Sequence, residues 1–316
     1  MKVLFHENSL NIRGTSIALF DYAYYNRKYL NNQSYIVYPK EPNPVNEQKV
    51  IQKFKDNFEV FQYEDLNELN DICDMLDIDV AYFIKAGFND GLLTKKKNVV
   101  HSVFQYYEPH GDRYAYVSPF LSRVASNNLC SFVPHMVNLP NPSENYRERY
   151  GISEDKIVVG RYGGFDQFDI PWVRDALIEF VRIHPDYVFL FANTRRFTSH
   201  PAFIYVDGMV DLQEKSNFIN TCNAMIHARS DGESFGLAIC EFLSQGKPVF
   251  AWNGGQDTHH TEILSPANTL YNSKEDLKDK LTYLKHGYPF IDMKQLVDQY
   301  QPKVVMEKFE EVFLSV

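Results

Sequence analysis

Two glutamates with seven residues between them, Glu233 and Glu241, stand in the stretch HARSDGESFGLAICE. If Phe235 to Gln245 is helical, eight residues at 1.5 Å rise separate the two carboxylates by about 12 Å along the axis and return the second to nearly the same face. A carboxylate accepts hydrogen bonds from both hydroxyls of a vicinal diol, so this spacing suits a ligand carrying a diol at each end of a diphosphate. Asp231 or Ser234 stands where a helix cap is expected. The amides of Ser234, Phe235, Gly236 and Leu237 would then form an anion site at the positive end of the macrodipole. Gly236 would let the backbone approach the ligand closely. In the first half, HENSLNIRGT offers His6, Glu7, Arg13, Gly14 and Thr15, and VHSVFQYYEPHGDRYAYVS offers His101, Glu108, His110, Asp112 and Arg113. Asp112 and His110 are candidate general bases.

Each candidate has a plainer reading. His101 between Val100 and Val103 fits a core histidine equally well, and His110 and Asp112 beside Gly111 fit a tight turn. Arg161 could be a surface ion-pair partner, and Gly14 a simple turn. His259 and His260 follow Asp257, but adjacent histidines on an extended segment point to opposite faces. No metal site is expected there. Trp172 and Trp252 read as packing residues.

The elements that must carry these groups alternate between short apolar runs and segments of helical period, the pattern of β-α-β units on a parallel sheet. In the first half, strands are expected at Lys2–His6, Tyr35–Tyr38, Glu59–Gln62, Val80–Ile84, Asn98–Val103 and Ser131–Val137. Helices are expected at Thr15–Tyr25 and Asp65–Leu76, with a turn at Pro42 and Pro44. Leu139-Pro-Asn-Pro142 then forms an extended connection. The alternation restarts with strands at Lys156–Tyr162, Tyr187–Ala192, Phe203–Val206, Ala224–His227 and Pro248–Trp252. Helices are expected at Pro171–His184, Asp211–Thr221 and Phe235–Gln245. The fold class is therefore α/β, in two units of about 150 residues divided at residues 139–150, with a cleft between them. Ligands of open α/β sheets sit at the carboxyl ends of the strands, which is where the candidate loops lie. A final amphipathic helix over 301–316 presents Val304, Val305, Phe309, Val312 and Phe313 for packing or for a dimer surface.

Composition narrows the function. The chain of 316 residues is 44% hydrophobic and 23% charged, and 32 Lys+Arg against 41 Asp+Glu gives a net charge of −9. With no basic stripe to track a phosphate backbone, no nucleic-acid partner is expected. MKVLFHENSL lacks the h-region of a signal peptide, and no run of about 18 apolar residues exists, so a cytoplasmic protein without transmembrane contact is expected. Cys73, Cys130, Cys222 and Cys240 form no C-x-x-C pair and read as buried thiols.

Glu233-Ser-Phe-Gly-Leu leading to Glu241, followed by Gly246-Lys-Pro-Val and Gly254-Gly255, resembles the E-x7-E signature of family 4 glycosyltransferases. The resemblance implies the GT-B fold, two Rossmann-like domains facing each other across a cleft. It places an acceptor domain at 1–140, a nucleotide-sugar donor domain at 141–300 and a helix at 301–316 that crosses back to the first domain. Gly160-Arg161 is similar to the Gly-Arg that opens the family's donor site, and Gly14-Thr15 to its first glycine loop. His101 is similar to the histidine near the transferred sugar, and Glu262 to an acidic residue after a Gly-Gly loop. The resemblance implies transfer of a sugar from a UDP- or GDP-sugar to a glycan or other hydroxyl acceptor, with retention, no essential metal and no cofactor beyond the donor. Glu233 would hold sugar hydroxyls and Glu241 the ribose diol. An acceptor hydroxyl would bind between the loops of His6, Glu7 and Arg13 and of His110 and Asp112. Asp112 or His110 would be the base if the reaction inverts configuration, and the leaving phosphate oxygen would take that role if it retains. Arg161, Gly163, Asn193 and the amides of Ser234 to Leu237 would line the diphosphate. RYGGFDQFDI lacks the lysine that normally follows the arginine, and Arg195 and Arg196 are candidate substitutes. A nucleotide-sugar epimerase and a degenerate transferase that only binds nucleotide share these features.

Overall fold

The computed structural model describes residues 1–41, 46–286 and 291–315, so the expected turn at Pro42 and Pro44 lies outside the described residues. The chain divides into two compact units, 1–136 with 300–316, and 137–299. Among the described residues no helix is long and apolar enough to cross a membrane.

The first unit is built on strands β1 (Lys2–His6), β2 (Gln33–Pro39), β3 (Glu59–Tyr63), β4 (Val80–Lys85), β5 (Lys97–Ser102), β6 (Arg113–Tyr116) and β7 (Ser131–Phe132). They are ordered β3-β2-β1-β4-β5-β6-β7 with every pairing parallel. β4 reads VAYFIK and is buried along its whole length, the mark of a central strand covered on both faces. Helices α1 (Gly14–Leu30), α2 (Gln48–Lys55), α3 (Leu66–Met75) and α4 (Pro119–Ser126) connect the strands. α3 starts where Asp65 accepts from the amides of Asn67 and Glu68, and α4 where Ser118 caps Leu121 ahead of Pro119. Both starts are side-chain N-caps. The apolar stretch expected as a strand to Val137 pairs only to Phe132, because Pro134 has no amide to donate to a ladder.

The second unit contains β8 (Ile157–Arg161), β9 (Tyr187–Ala192), β10 (Phe203–Val206), β11 (Ala224–His227), β12 (Gly232–Glu233), β13 (Val249–Trp252), β14 (Asp257–Thr258) and β15 (Leu270–Tyr271). Its helices are α5 (Pro171–Ile183), α6 (Leu212–Thr221), α7 (Leu237–Ser244), α8 (His259–Leu264) and α9 (Lys274–Lys285). The main sheet runs β10-β9-β8-β11-β13-β15, again parallel, with β12 and β14 paired separately. Strand order reverses between β1 and β4 in one sheet and between β8 and β11 in the other, and such switch points open a crevice at the carboxyl ends.

The last helix, α10 (Pro302–Phe309), belongs to the first unit. Phe309 stacks on Phe5 and Tyr22 at 6.3 and 5.3 Å, and Phe313 lies edge-on to Tyr82 and His101 at 5.7 and 5.2 Å. The apolar stripe of the tail is thus buried within the chain, while Val304 stays exposed.

Candidate active site

At the switch point of the second sheet β8 ends in Arg161 and β11 in His227. Arg161 is buried, with Nη1 donating to Asn193 O at 3.1 Å and Thr194 Oγ1 at 2.5 Å, and Nη2 donating to Gly164 O at 2.8 Å. Three of its five N–H donors therefore tie the loop after β8 to the loop after β9. Asn193, in the left-handed region at φ 45°, completes the tie by donating from Nδ2 to Gly163 O at 2.8 Å. Burial lowers the guanidinium to about 10, against the raising charges of Glu233 and Asp169, and leaves it protonated at neutral pH. Arg195 does not take the place of the absent lysine as an open cation. It is exposed and paired with Asp166 at 2.5 Å, while Arg196 lies over the Tyr205 ring.

Glu233 does not ride on a helix with Glu241, as the spacing predicts. It lies in β12, and α7 begins only at Leu237. The reason is Gly236, the helix N-cap, which sits at φ 90° and turns the chain before the helix can start. Neither Asp231 nor Ser234 caps α7. A second glycine, Gly232 at φ 76°, allows β12 to lie against β14, since a Cβ there would stand 2.1 Å from Asp257 O. The first-turn amides of α7 have no intrahelical acceptors, so the expected anion site moves forward to Leu237 and the residues that follow it.

The Glu233 carboxylate is clamped at both oxygens. Oε1 is 2.9 Å from His227 Nε2, and Oε2 accepts from Arg229 Nη1 at 3.2 Å. Burial raises its pKa, but the His227 bond and the charges of His227, Arg229 and His260 outweigh it, and the net shift is downward. Glu233 is therefore an ionised acceptor. His259 and His260 open α8 instead of lying on an extended segment, and donate to Phe235 O and Trp252 O, both at 2.9 Å. His260 puts its ring 5.6 Å from that of His227.

Glu241 is more enclosed. Lys215 Nζ from α6 donates to Oε1 at 2.8 Å, with both side chains 5% exposed, and Tyr162 Oη donates to Oε2. Burial, and then the charge of Glu241, hold the Tyr162 phenol well above its usual range. A ribose diol on Glu241 would have to share oxygens already occupied by protein donors. Sequence reading missed Lys215 and Tyr162. The available signal was Lys215 itself, a charge in phase with Phe218 and Ile219 on the buried face of α6. Removing one partner of a buried pair leaves a charge unpaired, at a cost of about 3–5 kcal/mol. Lys215→Met should lose about that much in urea unfolding followed by tryptophan fluorescence, since Trp172 and Trp252 both lie in this unit. Adding Glu241→Leu should recover most of it, and a loss below about 1 kcal/mol would contradict a buried pair.

The first unit separates its candidates. Glu7 follows β1 and is buried, with Thr15 Oγ1 donating to Oε1 and Ser16 Oγ to Oε2, the latter at 2.6 Å. Burial raises its carboxyl to about 7 against the lowering effects of Ser16, Thr15 and Arg13. Gly14 and Thr15 begin α1, and Arg13 is its N-cap without a side-chain cap bond. His6 Nε2 lies 2.7 Å from Tyr63 Oη, and burial drives its pKa down to about 3.

His101 is a core residue and not an open catalytic one. It is fully buried, Nε2 donates to Val133 O at 2.8 Å, and Nδ1 therefore accepts from Tyr82 Oη at 2.6 Å. Asp112 precedes β6, where its Oδ2 accepts from the Asn98 amide at 2.7 Å near the start of β5. It thus caps the amino-terminal edge of a parallel sheet, the end opposite the ligand-binding crevice. His110 donates from Nδ1 to Glu108 O at 2.7 Å and packs against Tyr114. Neither Asp112 nor His110 is placed as a base beside His6 and Glu7.

No protein-family model matches the chain, and no curated protein sequence matches it. Solved structures do. Anabaena Alr3699/HepE in complex with UDP and glucose is 14% identical over 100% of both chains, with a TM-score of 0.74. A glycosyltransferase from Rickettsia africae is 14% identical over 99% of this chain and 97% of its own, with a TM-score of 0.71. A proposed UDP-N-acetylglucosamine 2-epimerase from Listeria monocytogenes is 12% identical over 98% and 94%, with a TM-score of 0.62. Two parallel sheets of seven and six strands, together with alignment over nearly the full length of these structures, give this chain the GT-B fold.

Proposed function

We propose that this chain is a glycosyltransferase that moves a sugar from a UDP- or GDP-sugar to a hydroxyl of a glycan or other acceptor, with retention and without an essential metal. The observation that carries the reading is Glu233, an ionised carboxylate clamped by His227 and Arg229 beside the α7 N-terminus at a sheet switch point. An anion-binding helix start next to a rigid hydroxyl acceptor suits a diphosphate joined to a sugar. In this reading Glu233 orients the sugar hydroxyls. The amides from Leu237 onward and Arg161 stabilise the charge that develops on the leaving diphosphate, the kind of term that often dominates catalysis. Arg161 acts there by its charge and by fixing the Gly163 and Asn193 loops. The second unit is the donor unit, and the first, with His6 closing β1 and Glu7 and Arg13 in the loop after it, takes the acceptor. Retention follows if the leaving phosphate oxygen takes the acceptor proton, which needs no protein base at Asp112.

The test is nucleotide release from a panel of UDP- and GDP-sugars, without and with sugar acceptors, alongside thermal shift with UDP and GDP. A ligand at 100 times its Kd stabilises by about 2.7 kcal/mol, so one nucleotide should raise Tm by several degrees and its sugar should be hydrolysed slowly. Neither effect with any nucleotide would sink the donor site. The similarity to the Listeria protein supports a second reading as an epimerase, which would give an epimeric sugar product with no acceptor present.

A further inference from the structure

The carboxyl ends of β4 and β5 carry four exposed aromatic rings. Phe88, Phe104, Tyr106 and Tyr107 are 43%, 44%, 46% and 49% exposed, and Phe88 and Tyr106 meet edge-to-face at 5.4 Å. Large exposed rings on loops commonly mark recognition surfaces, and these loops are fixed from beneath. Tyr114 Oη is shared between Gly87 O at 2.8 Å and Tyr106 O at 3.1 Å, and Tyr116 Oη donates to Tyr106 O at 2.7 Å. Ser102 Oγ reaches Ala86 O and Phe104 O, both at 3.1 Å, and the Asn89 amide donates to Glu108 Oε2 at 2.9 Å. None of these ties uses an atom of the four rings, so the rings stand on a preorganised frame that does not depend on them.

The charge around the rings selects the partner. The loops at this end, 86–94 and 103–111, contain Asp90 and Glu108 and no lysine or arginine, and Asp90 is paired with the buried Lys85 at 2.5 Å. An anionic membrane attracts basic side chains, and these loops offer none. A neutral saccharide fits. Its C–H faces stack on aromatic rings, and its hydroxyls find acceptors in carboxylates and amides at the rim.

We propose that Phe88, Phe104, Tyr106 and Tyr107 form a platform for a neutral oligosaccharide, the acceptor chain, an assignment that rests on the glycan-acceptor reading above. The platform holds sugar units beyond the one that reacts, so a longer chain binds more tightly than a disaccharide.

The test uses the full chain and its Phe88→Ala, Tyr106→Ala and double variants on neutral oligosaccharides of two to six glucose, galactose, mannose or N-acetylglucosamine units. Vesicles of phosphatidylserine and phosphatidylcholine serve as the competing surface. Wild type should bind at least one series with affinity rising with length, and the double variant should weaken it on the order of 10-fold, the scale of a truncated aromatic anchor. Far-UV circular dichroism should be unchanged, because the loops are held through their main chain. No saccharide binding by wild type, equal binding by the double variant, or ring-dependent vesicle binding would each overturn the platform. Thermal shift with UDP and GDP on the same samples reports the donor reading separately. Saccharide binding without nucleotide binding removes the transferase and leaves the platform, and the reverse removes only the platform.

Discussion

Glu233→Gln should lower donor turnover on the order of 100-fold or more, the scale of a misplaced reacting group, while the Kd for the nucleotide alone changes by only a few fold. The wild-type carboxylate meets a nitrogen at each oxygen, His227 Nε2 and Arg229 Nη1. A glutamine has one oxygen and one NH2 group, so it keeps one bond and turns donors toward a donor on the other side. It also removes the negative charge that faces Arg229 and Arg161. The side chain then leaves the position from which it would fix the sugar, but the helix amides proposed to hold the diphosphate are untouched. The split between kcat and nucleotide affinity is thus the signature of an orienting role. Glu233→Asp, which keeps the charge one methylene short, should fall between. Asp112→Asn, at the amino-terminal edge of the first sheet, should stay within about twofold of wild type, well inside the scatter of surface substitutions. Unchanged turnover in Glu233→Gln would remove this carboxylate from the chemistry, and a large loss in Asp112→Asn would restore the sequence-based base.

What could be read without coordinates follows from how local each signal was. β9, β10 and β11 fall on the residues expected for them, because YVFLFA, FIYV and AMIH are apolar runs bounded by turn residues. β6 and α4 were missed because SVFQYYEPHGDRYAYVSPFLSRVAS is aromatic throughout and shows no period, although Ser118-Pro119 is a legible helix start. The site was legible as a pair of glutamates but not as a geometry. The estimate of 12 Å assumed a helix through Gly236, whose φ of 90° ends that possibility. Lys215 on Glu241 and His227 on Glu233 are contacts between elements, set by the sheet order and not by any spacing along the chain. His101 stayed undecided between core and site for the same reason. Its two partners, Tyr82 and Val133, come from neighbouring segments that only the fold brings to one place.

That burial of His101 carries its own consequence for stability. Desolvation lowers its pKa from 6.5 to about 3, with the Val133 main-chain bond opposing only in part. Between pH 6.5 and about 3 the unfolded chain therefore binds a proton that the folded chain refuses. The contribution is intact above pH 6.5 and is lost as the pH falls, amounting to about 3 kcal/mol by pH 4. His6, also lowered to about 3, acts in the same direction. Glu7 acts against them: its folded value of about 7 lies above the ordinary 4.5, so its effect on stability becomes more favourable as pH falls from 7 toward 4.5. His101→Gln isolates one term from this sum. A glutamine amide can accept from Tyr82 Oη and donate to Val133 O as the imidazole does, yet it takes up no proton. Urea unfolding read by far-UV circular dichroism at pH 7 and pH 4 should show wild type losing about 3 kcal/mol more than the variant over that interval, with His6 and Glu7 cancelling in the comparison. Parallel pH dependences would mean that His101 titrates in the folded state near its ordinary value, which requires an imidazole open to solvent and free to enter chemistry.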